Sequence, residues 1–312
     1  MTVDRTSTTD LLCELEPVVE SNLNRHLATA KEWFPHEYVP WSEGTDFDGP
    51  LGGQAWAPEQ SRLPDVARTS LIVNLLTEDN LPSYHHEIAT MFGRDGAWGN
   101  WVHRWTAEEG RHGIAIRDYL LATRAVDPVE LERARMTHMA AGFTNAYADK
   151  SSLHGIAYVS FQELATRVSH RNTGRISGDP ICDQLLAKVA ADENLHMLFY
   201  RNLLAAAFEI APNEAMRAVT DVVKTFQMPG HGIENFTRKS VQIAMAGIYD
   251  LRIHHDEVVL PVLRNVRALE TEGLTGDGDK ARDELVAFLS ELDRLATRFT
   301  ERRDAVNARK AS

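Results

Sequence analysis

Cysteine is almost absent from this chain: Cys13 and Cys182 are the two among 312 residues. That excludes a disulfide framework and a thiolate cluster for zinc or iron–sulfur chemistry. Long apolar runs are missing as well, since nothing approaches the ~20 consecutive apolar residues that cross a bilayer. The opening "MTVDRTSTTD" has no apolar core of the kind a secretory leader needs, so a cytoplasmic protein is expected. Positive charge is in deficit: 33 Lys and Arg against 45 Asp and Glu give a net charge of −12. A general nucleic-acid binder, which works through a broadly basic surface, is excluded, although local basic patches are not.

Convincing strand alternation is also missing, and helical periodicity recurs in its place. Leu12, Leu15, Val19, Leu23 and Leu27 share one face and predict an N-terminal helix over 10–33. Residues 34–64, "FPHEYVPWSEGTDFDGPLGGQAWAPEQSRLP", are rich in Pro, Gly and Trp and read as a connecting segment. Helical pattern resumes over 65–92, 97–124, 151–171 and 180–209. "FGRDG" and "HRNTGRISGDP" separate the members of each pair, and Asp179-Pro180 supplies a cap and first turn for the fourth helix. A further helix follows "QMPGHG", and the last, near 280–303, sets Leu285, Phe288, Leu289, Leu292, Leu295 and Phe299 on one side. No composition shift marks a boundary. The expectation is one all-α domain over 1–312, with a four-helix bundle at 65–209 and additional helices at 210–312.

The stretch "ADENLHMLFY" places polar groups where the periodicity wants apolar ones. Leu186, Val189, Met197, Tyr200 and Leu204 form a stripe around Glu193 and His196, so both point into a core. Glu193-x-x-His196 has one counterpart, Glu109-x-x-His112 in "WTAEEGRHGIAIRDYL". With 24 Glu and 13 His, chance supplies about one such pair, so their arrangement matters more than their number. Glu78 lies thirty-one residues before Glu109, and Glu163 thirty residues before Glu193. That spacing lets a helical hairpin rise roughly 20 Å, turn and return to the same depth.

Each hairpin would thus deliver two carboxylates and one imidazole to one level of a bundle. Four ionised carboxylates buried together repel one another and cost several kcal/mol each if uncompensated; two divalent cations remove the conflict. Glu78, Glu109, His112, Glu163, Glu193 and His196 make a hard, oxygen-rich set that suits iron or manganese. The H-E-x-x-H arrangement of zinc proteases is absent.

"TEDNLPSYH", "WTAEEGRHG", "FQELATRVSHRNTGR" and "ADENLH" resemble, in order, the signatures of the soluble acyl-acyl-carrier-protein desaturases of plastids and actinobacteria. The likeness is nearest to the actinobacterial branch and runs from about Leu11 to about Val266. It implies a ferritin-like fold, a homodimer, and two irons per chain. With dioxygen and reduced ferredoxin, the irons would serve to introduce a cis double bond into an acyl chain carried on acyl carrier protein. By this resemblance Glu78, Glu109 and His112 serve mainly one iron, Glu163, Glu193 and His196 the other, and Glu109 and Glu193 bridge. Thr166 matches a threonine beside the dioxygen pocket, and Trp33, Asp192 and His112 match a proposed electron path.

Breaking an unactivated C–H bond calls for a narrow, dry tunnel. Met91, Phe161, Met197 and Phe199 are placed either along it or in ordinary core packing. An acidic enzyme that meets an acidic carrier and an acidic ferredoxin needs local positive potential. Arg167, His170, Arg171 and Arg175, followed by Lys188, supply the densest basic region near the motifs, as a docking surface or as a solvated helix end and loop. Two relatives of the same bundle class fit less well. Ribonucleotide reductase small subunits typically carry a tyrosine four residues after the first ligand histidine, where Ile116 stands here, and the iron-storage centre of ferritins generally has a single Glu-x-x-His. Another di-iron oxidase or oxygenase remains the alternative reading.

Overall fold

The structure, a computed structural model, describes residues 5–311 apart from 145, 148 and 149; the first four residues of the opening stretch lie outside it. Helix α1 (Arg5–Thr29) leads into the connecting segment, which holds three short 3-10 turns and an isolated bridge between Phe47 and Gln54. The bundle comprises α2 (Asp65–Asp79), α3 (Leu81–Phe92), α4 (Gly96–Ala122), α6 (Ser152–Ser177) and α7 (Pro180–Ile210), with α5 (Pro128–Ala140) between its halves. Then come α8 (Pro212–Thr225), α9 (Phe236–Met245), α10 (Leu251–Ile253), α11 (Leu260–Asn265) and α12 (Asp277–Ala311). A π-helical stretch, His254–Val259, joins α10 to α11 just before Pro261, which has no N–H to give to the preceding turn.

Local chemistry explains most of the boundaries. Asp179 Oδ1 accepts from the backbone N–H of Ile181 (2.7 Å) and Cys182 (3.2 Å), with Pro180 in the first turn, as expected for α7. Three boundaries differ from the sequence reading. The helix expected over 65–92 breaks at Asn80, because Pro82 in the first turn of α3 cannot continue the ladder from α2. The break expected at "HRNTGRISGDP" shrinks to its last residues: α6 runs on to Ser177 and stops at Gly178, whose φ of 67° is left-handed. The N-terminal helix stops at Thr29, so Trp33 belongs to the segment after it.

Two apolar clusters fix how the bundle is threaded. One takes Val102 and Trp105 from α4, Ile156 and Val159 from α6, and Phe199 and Leu203 from α7. The other takes Leu71 and Leu75 from α2, Ile116 and Leu120 from α4, and Leu185 and Val189 from α7. Helix α4 therefore runs from the first cluster to the second and α7 from the second to the first, and the two are antiparallel. The level between the clusters is where the polar residues sit. Helix α1 packs on α4 and α7, α8 on α6 and α7, and α12 on α8.

One side chain organises the connecting segment. Arg124, just beyond α4 and itself at φ 51°, donates to the carbonyls of Thr45 (3.1 Å), Asp46 (3.2 Å), Gln54 (2.9 Å) and Ala55 (3.2 Å) and to Gln60 Oε1 (3.1 Å). Its guanidinium lies 4.1 Å from the centre of the Phe47 ring. A single planar fork thus satisfies five acceptors of a segment that has almost no ladder of its own. Replacing Arg124 by Ala leaves those acceptors without their donor, and the loss expected is about 3 kcal/mol. Chemical denaturation measures it, and Arg124→Lys should recover little because an ammonium cannot span the same fork.

Candidate metal centre

Glu78 closes α2, Glu109 and His112 lie mid-way along α4, Glu163 along α6, and Glu193 and His196 along α7; all six are buried. Gly113 lets α2 approach α4 here, since a Cβ on it would stand 3.1 Å from Asp79 Oδ1. The structure brings the six together as two overlapping quartets, Glu78–Glu109–His112–Glu193 and Glu109–Glu163–Glu193–His196, the potential ligand atoms within each lying within 4.8 Å of one another. Glu109 and Glu193 belong to both.

The imidazoles aim Nδ1 at this level. His112 Nδ1 is 3.5 Å from Glu109 Oε2, 3.5 Å from Glu193 Oε1 and 3.8 Å from Glu78 Oε2. His196 Nδ1 is 2.8 Å from Glu109 Oε1 and 3.6 Å from Glu163 Oε2. None of these approaches is aligned as a hydrogen bond: among the described residues Glu109 Oε1, Glu163 Oε2 and both Nδ1 atoms are buried without a hydrogen-bond partner. Buried polar atoms are ordinarily paired, so four orphans facing a common level fit a pair of cations.

Behind the ligand level each imidazole is held from its far side. His112 Nε2 lies 3.3 Å from Asp192 Oδ2, which also takes the Trp33 indole N–H (2.9 Å) and Arg111 (2.5 Å). His196 Nε2 lies 2.9 Å from Glu108 Oε2, which also meets His26 Nε2 (2.9 Å), while Glu108 Oε1 pairs with Arg104 (2.5 Å). His26, Glu108 and His196 also satisfy a simple geometric test for a metal site. The Arg104 guanidinium already neutralises that carboxylate, so the trio is an outer shell and not a third ion site. The carboxylates are braced as well: Trp105 donates to Glu163 Oε1 (3.0 Å), His170 Nε2 to Glu78 Oε1 (2.9 Å), and the Thr166 hydroxyl lies 2.8 Å from Glu193 Oε2.

Sequence spacing does not reach Glu108 or His26, nor the role of Trp105, which it places only as an apolar flank of Glu109, nor the place of His170. For Glu108 a signal existed: an acid precedes Glu109 as Asp192 precedes Glu193. His26 could not be found from spacing, because its place depends on how α1 docks. The basic region is changed in kind. His170 is buried against Glu78, Arg171 is paired with Asp183 (2.6 Å), and Arg171 and Arg175 lie on α6, not in a loop. Arg167 and Arg175, with Lys31 and Lys188, line a surface groove that reaches Trp33 and Asp192 and also includes Glu257. These four cations form no ion pair among the described residues.

A second cavity, narrow and of about 80 Å³, meets the site from the opposite side. Glu78, Glu109, Glu163, Glu193 and Thr166 form part of its wall, and the rest is largely apolar, with Leu81, Ile88, Met91 and Val159. Of the four candidate lining residues only Met91 is on this wall. Phe161, Met197 and Phe199 are core, Phe199 being stacked on Trp101 at 3.5 Å between ring centres.

A helical bundle with two carboxylate–imidazole quartets sharing two glutamates is consistent with the two-metal sites of carboxylate-bundle oxidoreductases. A sequence profile described as fatty acid desaturase matches residues 7–312. The chain belongs to that family. It is 55% identical over 295 residues, 93% of this chain and 87% of the relative, to a Mycobacterium tuberculosis protein assigned the name acyl-[acyl-carrier-protein] desaturase DesA1. It is 32% identical over 287 residues, 86% of this chain and 72% of the relative, to stearoyl-[acyl-carrier-protein] 9-desaturase 6 of Arabidopsis thaliana. The X-ray structure of a Mycobacterium tuberculosis protein named "putative acyl-ACP desaturase DesA2" superposes with a TM-score of 0.70 at 32% identity, covering 84% of this chain and 97% of that one. The all-α, ferritin-like fold expected from the sequence is therefore shared with that solved structure.

Without metal, protons do the neutralising. Burial drives the Glu163 carboxyl well above the usual carboxylate range, and the charges of Glu193 and Glu109 push it the same way. Burial opposes a charged His112 or His196, but the carboxylates around them, led by Asp192 and Glu108 respectively, overcome it and raise both well above 6.5. Cations entering this level displace protons from those rings and from Glu163. Affinity should therefore climb with pH, by about tenfold per unit for each proton released. Manganese(II) titrations at pH 6.5 and 7.5 measure it, and equal affinity at both would contradict the proton count.

Proposed function

We propose that the protein is an acyl-[acyl-carrier-protein] desaturase holding two iron ions. Glu78 and His112 serve one, Glu163 and His196 the other, and Glu109 and Glu193 serve both. The observation that carries this reading is the convergence of four unpartnered buried ligand atoms on one level that also forms the wall of an apolar cavity. Family membership and the names of the relatives support the substrate class. In the overall reaction a –CH2–CH2– unit, dioxygen, two electrons and two protons become –CH=CH– and two waters. Reduced iron supplies the activation of dioxygen that an unactivated C–H bond requires.

The chain's own residues do the rest. The apolar cavity holds the alkyl chain against the carboxylate wall and keeps water away. Thr166, hydrogen-bonded at Glu193, holds a hydroxyl where a proton or an ordered water is needed. Trp33, Asp192 and His112 form a hydrogen-bonded chain from the basic groove to the site, which supports entry of electrons on that side from an acidic carrier such as reduced ferredoxin.

Purified protein should carry about two irons per chain, and Glu109→Ala or Glu193→Ala should lose most of both while keeping the helical spectrum. Incubation of the parent with acyl carrier substrates, ferredoxin, its reductase and dioxygen should yield product lighter by two hydrogens. Two bound irons without such product would leave the metal centre standing and reject the desaturase reading.

Reversing the unpaired cations, Arg167→Glu with Arg175→Glu, should weaken binding of ferredoxin by roughly tenfold at low ionic strength and by much less at high salt. Iron content should stay at the parent level. Calorimetric titration of ferredoxin and of acyl carrier protein, each alone, tells which partner uses the groove.

A further inference from the structure

Beyond the six ligand candidates the site has two outer arms built alike. In each, one carboxylate receives the Nε2 of an imidazole, a ring N–H from α1 or the residues just after it, and an arginine of α4. For His112 these are Asp192, Trp33 and Arg111; for His196 they are Glu108, His26 and Arg104. The correspondence extends to the sequence, since His26 and Trp33 stand seven residues apart, as do Arg104 and Arg111. Each acid is also wired across the bundle: Glu108 on α4 holds the histidine of α7, and Asp192 on α7 holds the histidine of α4.

We infer that Glu108, held by His26 and Arg104, is the positioning residue for the half of the site that contains His196, as Asp192 is for the half that contains His112. An acceptor at Nε2 keeps the proton on that nitrogen and leaves the Nδ1 lone pair facing the ligand level, and it fixes the ring in plane. Glu108 touches no other ligand candidate, so its effect is confined to one half. The inference rests on the two-metal reading, and it goes further in assigning a separate outer residue to each metal.

The test is metal occupancy, with iron(II) under anaerobic conditions and manganese(II) as probes. In the parent both sites should fill. In Glu108→Leu one of the two should weaken by about 10–100-fold while the other keeps its parent affinity. With 57Fe, one of the two iron signals in the Mössbauer spectrum should change or fade and the other persist. Asp192→Leu should affect the other signal, the double variant both, and His26→Leu the same one as Glu108→Leu, more weakly. Glu108→Gln, which keeps shape and an acceptor, should recover most of the affinity, a rescue that a loss of packing would not show. Where Glu108→Leu does not fold, His26→Leu carries the test through its selective change in one signal. Unchanged occupancy and spectrum in Glu108→Leu and in His26→Leu, or equal loss from both sites, would overturn the assignment. A parent that binds no metal pair would overturn the two-metal reading along with it.

Discussion

Four carboxylates on one level of a helical core repel each other and lose their hydration, and the rest of the molecule is arranged around that conflict. Apolar clusters on either side make the level dry, which is what makes the conflict severe. Relief comes from the imidazoles within the quartets and, from outside them, from the Trp105 indole, the Thr166 hydroxyl and His170. Two arginines, Arg104 and Arg111, supply the positive charge that completes the outer arms. Ligands of this kind hold their positions only because the two apolar ends of the bundle clamp the helices that carry them.

Much of this was legible in the sequence because helices translate spacing into position. Glu-x-x-His must put both side chains on one face, and thirty residues of hairpin must return the chain to the same depth; Glu78 and Glu163 follow from that alone. What was not legible depends on contacts between segments. Gly174 was read as a breaker, yet it lies inside α6, where a Cβ would stand 3.1 Å from Asp183 Oδ1; its small size serves the packing of α6 on the start of α7. That extension converts Arg171 from a free cation into the partner of Asp183. Helix α5 carries little apolar surface and so no stripe to read, although Asp127-Pro128 caps it as Asp179-Pro180 caps α7. Arg124 gave no sign of its role, since its five acceptors come from a segment without periodicity.

The site has two unlike faces. Its four glutamates border the apolar cavity, whereas His112 and His196 do not line it and back onto the polar arms. An alkyl chain can therefore approach through the carboxylates without crossing the path that runs from the basic groove by way of Trp33. Under the function proposed above, this separation would place the alkyl chain and the electron donor on different faces, so that each face can vary without disturbing the other.

The crossed wiring of the arms also bears on how the centre is assembled. Helices α2 and α4 form one hairpin and α6 and α7 the other, yet each imidazole is oriented by an acid that arrives on the opposite hairpin. A hairpin folded by itself holds two glutamates and a freely turning histidine, a weak and unselective trap for any passing cation. The complete ligand set exists only when the halves dock, so closing the bundle and holding a cation are coupled, and each favours the other.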